Sequence, residues 1–380
     1  MRFLLILLGC ALVLPARAQS PDVEIPCFWR ETSLTKPWIG VDVPCLEEVI
    51  WDRAAGELAF TGLAVSPDNT LFAARPMTGE VFAIVDTNGD LLPDSPRLAA
   101  EGLARPNSLA YHEGALYIGG EGHIYRLVGS EVSVLVADLP AGGGFWTGGI
   151  VIAHDRLYVG IGAPCDRCVP EDPARGVILS YALDGTDCQI IARGLRHPAG
   201  LAFDGESLWT VDSAPDGPDL HADGDEVNRV VANAHFGWPH CIGIDNQPDL
   251  PNFSCDEVTA PLLALPSGSR PLAIAAYTSQ TLPALAGTLL VALSGSHNQL
   301  DLRGYQVIAV EPGLPPSYRS ILPADPTGET GLTVAEINRR GVGLWPHRPL
   351  GLAVNEWGWV YISLSGGRIL AMRPQALNPY

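Results

Sequence analysis

The chain has 380 residues and a formal net charge of −19, with 42 acidic side chains against 23 Lys and Arg. Such a surface repels phosphate backbones, and no basic run offsets it, which excludes nucleic acid as a partner. The 41 glycines and 33 prolines, with no long stretch of helical periodicity, exclude a helical bundle and point to an all-β chain.

The first residues, "MRFLLILLGCALVLPARAQS", read as an export signal: Arg2, an apolar run, and the small residues Ala16 and Ala18 around a cleavage site. "LLGC" at Leu7 to Cys10 also fits a lipidation signal, against which the apolar residues after Cys10 argue. Cleavage after Ala18 removes Arg2 and Arg17 and no acid, taking the charge from −19 to −21. No other segment approaches a transmembrane span. The expected mature protein, residues 19–380, is therefore periplasmic or secreted. Export favours disulfides, and spacing suggests the local pairs Cys27–Cys45 and Cys241–Cys255, each closing a loop worth about 3 kcal/mol. "CDRC" suggests a tight third pair, Cys165–Cys168, leaving Cys188 odd. Val169 stands where a haem-attachment motif requires His, and no second Cys pair lies near enough for zinc.

One pattern recurs down the chain. It reads "GLAVSPDNTLFAA" from Gly62, "SLAYHEGALYIGG" from Ser108, "GIVIAHDRLYVGI" from Gly149 and "GLAFDGESLWTVD" from Gly200. A weaker copy begins at Pro271, and "GLAVNEWGWVYIS" begins at Gly351. Each is a short apolar strand, an Asx- or Gly-rich turn, and a second strand. The starts are 46, 41, 51, 71 and 80 residues apart, the spacing of propeller blades with insertions in the last two intervals. Six copies predict a six-bladed β-propeller in one domain, residues 19–380. A β-sandwich would not repeat a motif at this spacing. The N-terminal "EVIWDR" near Glu48 is expected to close the ring by joining the last blade.

Between these strands lie stretches with chemical content. In "DTNGDLLPD", Asp86, Asn88, Asp90 and Asp94 stand at calcium-loop positions, but Leu91 replaces the required Gly, and an Asx-rich turn explains the stretch. "AGGGFWTGGIV" from Ala141 holds five glycines and no proton-transferring side chain. Residues 190–241 are the richest, with the order "GLRHPAGLAF", "LW", "GDEVNRV" and "FGWP".

That order, with the Gly-rich loop, "IGAPCDRCVPEDPARGVIL", "LSGSHNQLDLRGYQVI" and "PHRPLGLAV", resembles the glucose/sorbosone dehydrogenase family of soluble quinoprotein sugar dehydrogenases. The resemblance spans nearly the whole mature chain. It implies a channel that binds pyrroloquinoline quinone beside Ca²⁺. In the family a His takes the sugar hydroxyl proton while hydride passes to the quinone, whose oxygens an Arg and Ca²⁺ polarise.

Carried over by residue, the resemblance makes Arg196 the Arg that contacts the quinone, and places His197 where the family has Asn. It puts the calcium-binding carbonyls at Ala214 and Pro215, and the acidic pair of a Asp-Glu-x-Asn motif at Asp225, Glu226 and Asn228. The expected cofactor set is therefore Arg196, His197, Ala214, Pro215 and Asp225, and the expected calcium set Ala214, Pro215 and Glu226. Arg196 also reads as a loop-capping Arg, and the acidic pair as a clamp on backbone amides. The departure is at the family's basic His, which aligns with Phe145. In the late-blade loop, Ser294 to Gln299 replace a His-Gly-Ser-Trp-Asn-Arg sequence. A phenyl ring cannot accept a proton, and loss of a general base costs about 10²–10⁴ in rate. His197, His297 and His221 are candidate replacements, and Arg196 with His197 the expected catalytic pair. Three readings follow: a sugar dehydrogenase with a relocated base and a periplasmic electron acceptor, a non-catalytic propeller binding a small molecule, and a calcium-dependent lactonase.

Overall fold

The computed structural model describes residues 45–53, 56, 60–215, 223–243, 247–248, 254–296, 303–323 and 347–374. The export signal, Cys27, His221 and His297 lie outside the described residues. Apart from one 3-10 turn at Pro283–Leu285, the regular elements among them are strands, which form six blades and one separate two-stranded ribbon, Cys241–Ile242 with Gln247–Pro248. Each recurrent motif supplies the innermost strand of one blade. Those strands are Leu63–Val65, Ser108–His112, Thr147–Ala153, Gly200–Phe203, Pro271–Tyr277 and Pro349–Val354. From each, the chain runs outward through antiparallel neighbours. The innermost strand of every blade packs on that of the next, and the sixth returns to the first. The expected six-bladed propeller is what the chain forms.

The hydrophobic cores sit between blades. Six apolar clusters fill the six interfaces, such as Ala64, Ala74 and Leu116 between blades 1 and 2, and Val211, Ile274 and Val291 between blades 4 and 5. With both sheet faces covered, a strand such as Ala115–Gly120 is buried at every position. This is why its sequence is apolar throughout rather than alternating.

Near the axis the blades crowd. A Cβ on Gly149 would lie 2.5 Å from the Leu201 nitrogen, one on Gly200 2.9 Å from the Ile274 nitrogen, and one on Gly351 2.2 Å from the Thr61 oxygen. The glycine that opens most copies of the motif is thus the point where one blade's backbone meets the next. No side chain fits there.

The ring closes as expected through Cys45–Trp51, which pairs antiparallel with Arg368–Arg373 at the outside of blade 6. Two buried ion pairs hold this seam. Arg373 donates from Nε to Glu47 Oε2 at 2.7 Å, and Arg368 pairs with Glu48 while stacking on Trp51 at 3.7 Å. Cys165–Cys168 and Cys241–Cys255 are bonded as expected. Cys45 is also in a disulfide, and Cys188 is exposed with its thiol free. In the 86–94 turn, the Asp86 carboxylate accepts from the amides of Asn88, Gly89 and Leu91, and Asn88 Oδ1 from that of Asp90. The acids there serve the turn.

Removing one partner of a buried ion pair leaves a charge without compensation, whereas removing both need not destabilise. Arg373→Met should therefore cost about 3–5 kcal/mol in urea unfolding. The double variant Glu47→Leu/Arg373→Met should recover most of it. A double variant less stable than the single one would contradict this view of the seam.

Candidate functional site in the axial channel

The residues that open each innermost strand line a cavity of about 650 Å³ on the propeller axis. Thr61, Asn107, Thr147, Ala199, Leu272 and Leu350 come from blades 1 to 6 in turn, so the wall is built by every blade. That volume suits a cofactor-sized molecule.

Three arginines stand in the wall, Arg196, Arg270 and Arg348, against one carboxylate, Asp166. Arg196 is 4% exposed and fixed from several sides. Nε and Nη2 donate to Asp166 Oδ1 at 2.8 and 2.5 Å, and Nη1 to the Ser213 carbonyl at 3.2 Å. Its guanidinium lies 4.2 Å over the Phe145 ring. Arg348 donates to the carbonyls of Ser294, Gly295 and Ser296 and to the Tyr305 hydroxyl, which anchors its charge at the blade 5 loop.

The loop Arg196–Pro198 is positioned by Asp212, at the end of blade 4's second strand. Its carboxylate accepts from the amides of Arg196, His197 and Ser213. His197 stacks on Phe145 at 5.2 Å between ring centres. Burial, with the charges of Arg196 and Arg270, pushes the imidazole down to about 3, so it stands neutral in the wall.

Gly142 and Gly143 have φ of 75° and 86°, and a Cβ on Gly143 would lie 2.5 Å from the Pro164 oxygen. Gly144 donates to that same oxygen at 3.0 Å, while Glu121 and Arg175 hold Gly142 by its amide and carbonyl. The glycines let this loop lie flat on the Cys165–Cys168 loop, which presents Phe145 and Trp146 to the channel and sets Asp166 against Arg196.

Ala214, Pro215 and Glu226 lie beside the channel rather than in its lining, around a second cleft of about 10 Å³ that shares Arg196 and Ser213 with it. Asp225 lies outside the channel lining as well: its two oxygens accept from the amides of Ala214 and Arg270, each at 2.7 Å. The clamp reading of the acidic pair describes this geometry. Glu226 accepts from Asn228 Nδ2 and the Gly243 amide, each at 3.0 Å. Burial raises Asp212 to about 6, Asp225 to about 7 and Glu226 to about 8, with mutual repulsion adding to the last two. Three buried carboxyl groups this close, with Ser213 Oγ and Asn228 Oδ1 buried and lacking a partner among the described residues, fit a hard cation, which would favour their ionised forms. No cluster of three or more His, Cys, Asp or Glu side chains is arranged for a metal among the described residues. A cation there would need carbonyl and hydroxyl donors as well.

The channel fits an anionic planar group. Its wall carries three guanidinium charges against one carboxylate, and aromatic faces at Phe145 and Trp146. Three more polar atoms of the lining, Thr61 Oγ1, Asn107 Oδ1 and Thr147 Oγ1, are buried without a partner among the described residues. Sequence reasoning found Arg196, His197 and Phe145 but assigned no role to Asp166, Arg270 or Arg348. A signal existed: Arg105-Pro106, Arg196-His197-Pro198, Arg270-Pro271 and Arg348-Pro349 all stand just ahead of an innermost strand.

Residues 132–311 match the family model described as Glucose / Sorbosone dehydrogenase. No curated protein sequence matches the chain. Among solved structures, the calcium structure of a Trichoderma reesei family AA12 carbohydrate-active enzyme is 18% identical, with a TM-score of 0.68 over 91% of this chain and 99% of that one. The holo form of the pyranose dehydrogenase PQQ domain from Coprinopsis cinerea is 15% identical, with a TM-score of 0.66 over 87% and 95%. The PQQ-bound aldose sugar dehydrogenase from Streptomyces coelicolor is 16% identical, with a TM-score of 0.58 over 86% and 97%.

The raised carboxylates carry a stability signature. A folded-state pKa above the unfolded value gives stability that is present at low pH and lost as pH rises through the folded value. In calcium-free buffer, unfolding free energy should therefore fall between pH 5 and 9 as Asp212, Asp225 and Glu226 ionise. Glu226→Gln should make that slope shallower by up to about 1.4 kcal/mol per pH unit. Superimposable slopes for the two proteins would show that Glu226 is not held this way.

Proposed function

We propose that this chain, a divergent member of the glucose/sorbosone dehydrogenase family by its match over residues 132–311, is an exported quinoprotein that oxidises a sugar in its axial channel. The observation that carries the reading is the channel wall, where Arg196, Arg270 and Arg348 face one space flanked by aromatic rings. Pyrroloquinoline quinone is a planar tricarboxylate, and fixed guanidinium groups answer that charge without reorganising on binding. Relatives in this fold whose structures hold PQQ, from Coprinopsis cinerea and Streptomyces coelicolor, support the choice of cofactor. When bound, the quinone supplies a two-electron acceptor for hydride.

The chain's own residues do the remaining work. Arg196 and Arg348 would hold the cofactor by its negative charge and would stabilise negative charge developing on it. The small cleft at Ser213, Ala214, Pro215 and Glu226 is the place for Ca²⁺, behind Arg196. Thr61, Asn107 and Thr147 offer hydrogen bonds to sugar or cofactor from the opposite wall. Phe145 shields Arg196 and His197 from water but moves no proton.

That last point favours a second reading, a propeller that binds quinone or sugar without turnover. A calcium-dependent hydrolase would need acidic side chains from several blades around one ion, and the described acids instead clamp backbone amides.

Reconstitution with pyrroloquinoline quinone and Ca²⁺, followed by dye reduction across aldoses, tests the proposal. Stoichiometric quinone binding with sugar-dependent dye reduction is the expected result. Phe145→His should raise the rate by about 10²–10⁴ where the wild-type channel holds no other base, and by far less where it holds one. Absence of quinone binding by the wild-type protein would reject the dehydrogenase reading.

A further inference from the structure

Sugar oxidation by a quinone removes a hydride from carbon and a proton from oxygen, and the proton needs an acceptor in the channel. On the dehydrogenase reading, two wall residues among those described have side chains able to take one, His197 and Asp166. His197 is a poor acceptor. It is wedged beside Phe145, and protonation would put another positive charge beside Arg196 and Arg270, which already drive its proton off.

Asp166 shares the Arg196 neighbour but not the confinement. It is the only carboxylate in the wall among the described residues, and its side chain is 42% exposed. It sits one guanidinium away from Phe145, since Arg196 bonds to Asp166 Oδ1 and covers the Phe145 ring at 4.2 Å. Among the described residues, Arg196 and, at 3.8 Å, Arg167 on its own loop stand within ion-pair reach of it.

Its place is also fixed. The Cys165–Cys168 bond closes the loop around it, Trp238 Nε1 donates to its carbonyl at 3.0 Å, and the Gly-rich loop is bonded to the preceding Pro164. A fixed carboxylate opening on a cofactor-sized space can be approached by a substrate hydroxyl, which a general base requires.

We propose that Asp166 is the proton acceptor of this channel, in place of the group missing at position 145. The sugar C–H bond breaks and its hydride goes to the quinone, while the O–H bond breaks and its proton goes to the Asp166 carboxylate. The carbon loses two electrons and becomes a carbonyl, and the quinone gains two. With a quinone bound, Asp166 would give the proton up again to the reduced cofactor and return to its carboxylate form.

Three measurements on Asp166→Asn and wild type decide the matter. Quinone affinity, read from quenching of tryptophan fluorescence, should not fall, because Asn keeps the shape of the side chain and the variant removes no positive charge from the wall. Steady-state kcat should fall by about 10²–10⁴, and the acid limb of the wild-type pH profile should disappear. A cationic iminosugar, titrated calorimetrically without turnover, should bind wild type at least tenfold more tightly than the variant. Turnover by Asp166→Asn within threefold of wild type, or an unchanged acid limb, overturns the assignment. So does a wild-type protein that holds quinone but oxidises sugar only after Phe145→His, an outcome that leaves the binding reading intact. Wild type that binds no quinone sinks both.

Discussion

Everything in this molecule depends on how closely six backbones approach one another around an axis. At Gly149, Gly200 and Gly351 the neighbouring blade stands so near that a single methyl group would collide with main-chain atoms. Such contacts fix the blades against each other before any side chain is considered. They also decide where the cavity lies. The strands touch at the glycines, and Thr61, Ala199 and Leu350, each just ahead of such a glycine, line the cavity.

A second constraint follows from the first. Loops that start next to the axis bring cations with them, and a wall of buried guanidinium groups is stable only if each has fixed partners. The chain meets this in two ways. Arg348 is surrounded by carbonyls of the blade 5 loop, and Arg196 by Asp166 and the Ser213 carbonyl. Behind them, Asp212 and Asp225 hold the loops by their amides rather than touching the cavity. Carboxylates and guanidinium groups are thus sorted into separate layers, with Asp166 as the acid that remains at the surface of the channel. This sorting gives the wall its positive sign and makes the Cys165–Cys168 loop more than a brace.

Much of the fold could be read from the sequence because it is repetitive. Each of the six motif copies became an innermost strand, and the segment around Glu48 closed the ring. Both constraints act locally there: strand length, turn chemistry and the opening glycine recur at blade spacing. The site was legible only in part. Arg196, His197 and Phe145 stood out because they lie in recognisable motifs, and they do converge. Asp166 did not, because its role arises from a loop in one blade meeting an Arg that leads into the next, a contact between residues 30 positions apart. Asp225 looked like a cofactor ligand by motif, and its carboxylate is bonded to two backbone amides in different blades. Spacing along a chain does not reveal which way a buried carboxylate faces.

The claim that the positive wall is a cofactor site is tested most directly by calorimetric titration of pyrroloquinoline quinone into wild type and Arg270→Leu, with Ca²⁺ present. Arg270 is chosen because its side chain lines the cavity while its main chain stays clamped by Asp225. The account predicts one quinone per chain for the wild type and at least tenfold weaker binding for the variant, about 1.4 kcal/mol or more. Equal affinities, or no heat of binding in either protein, would contradict it.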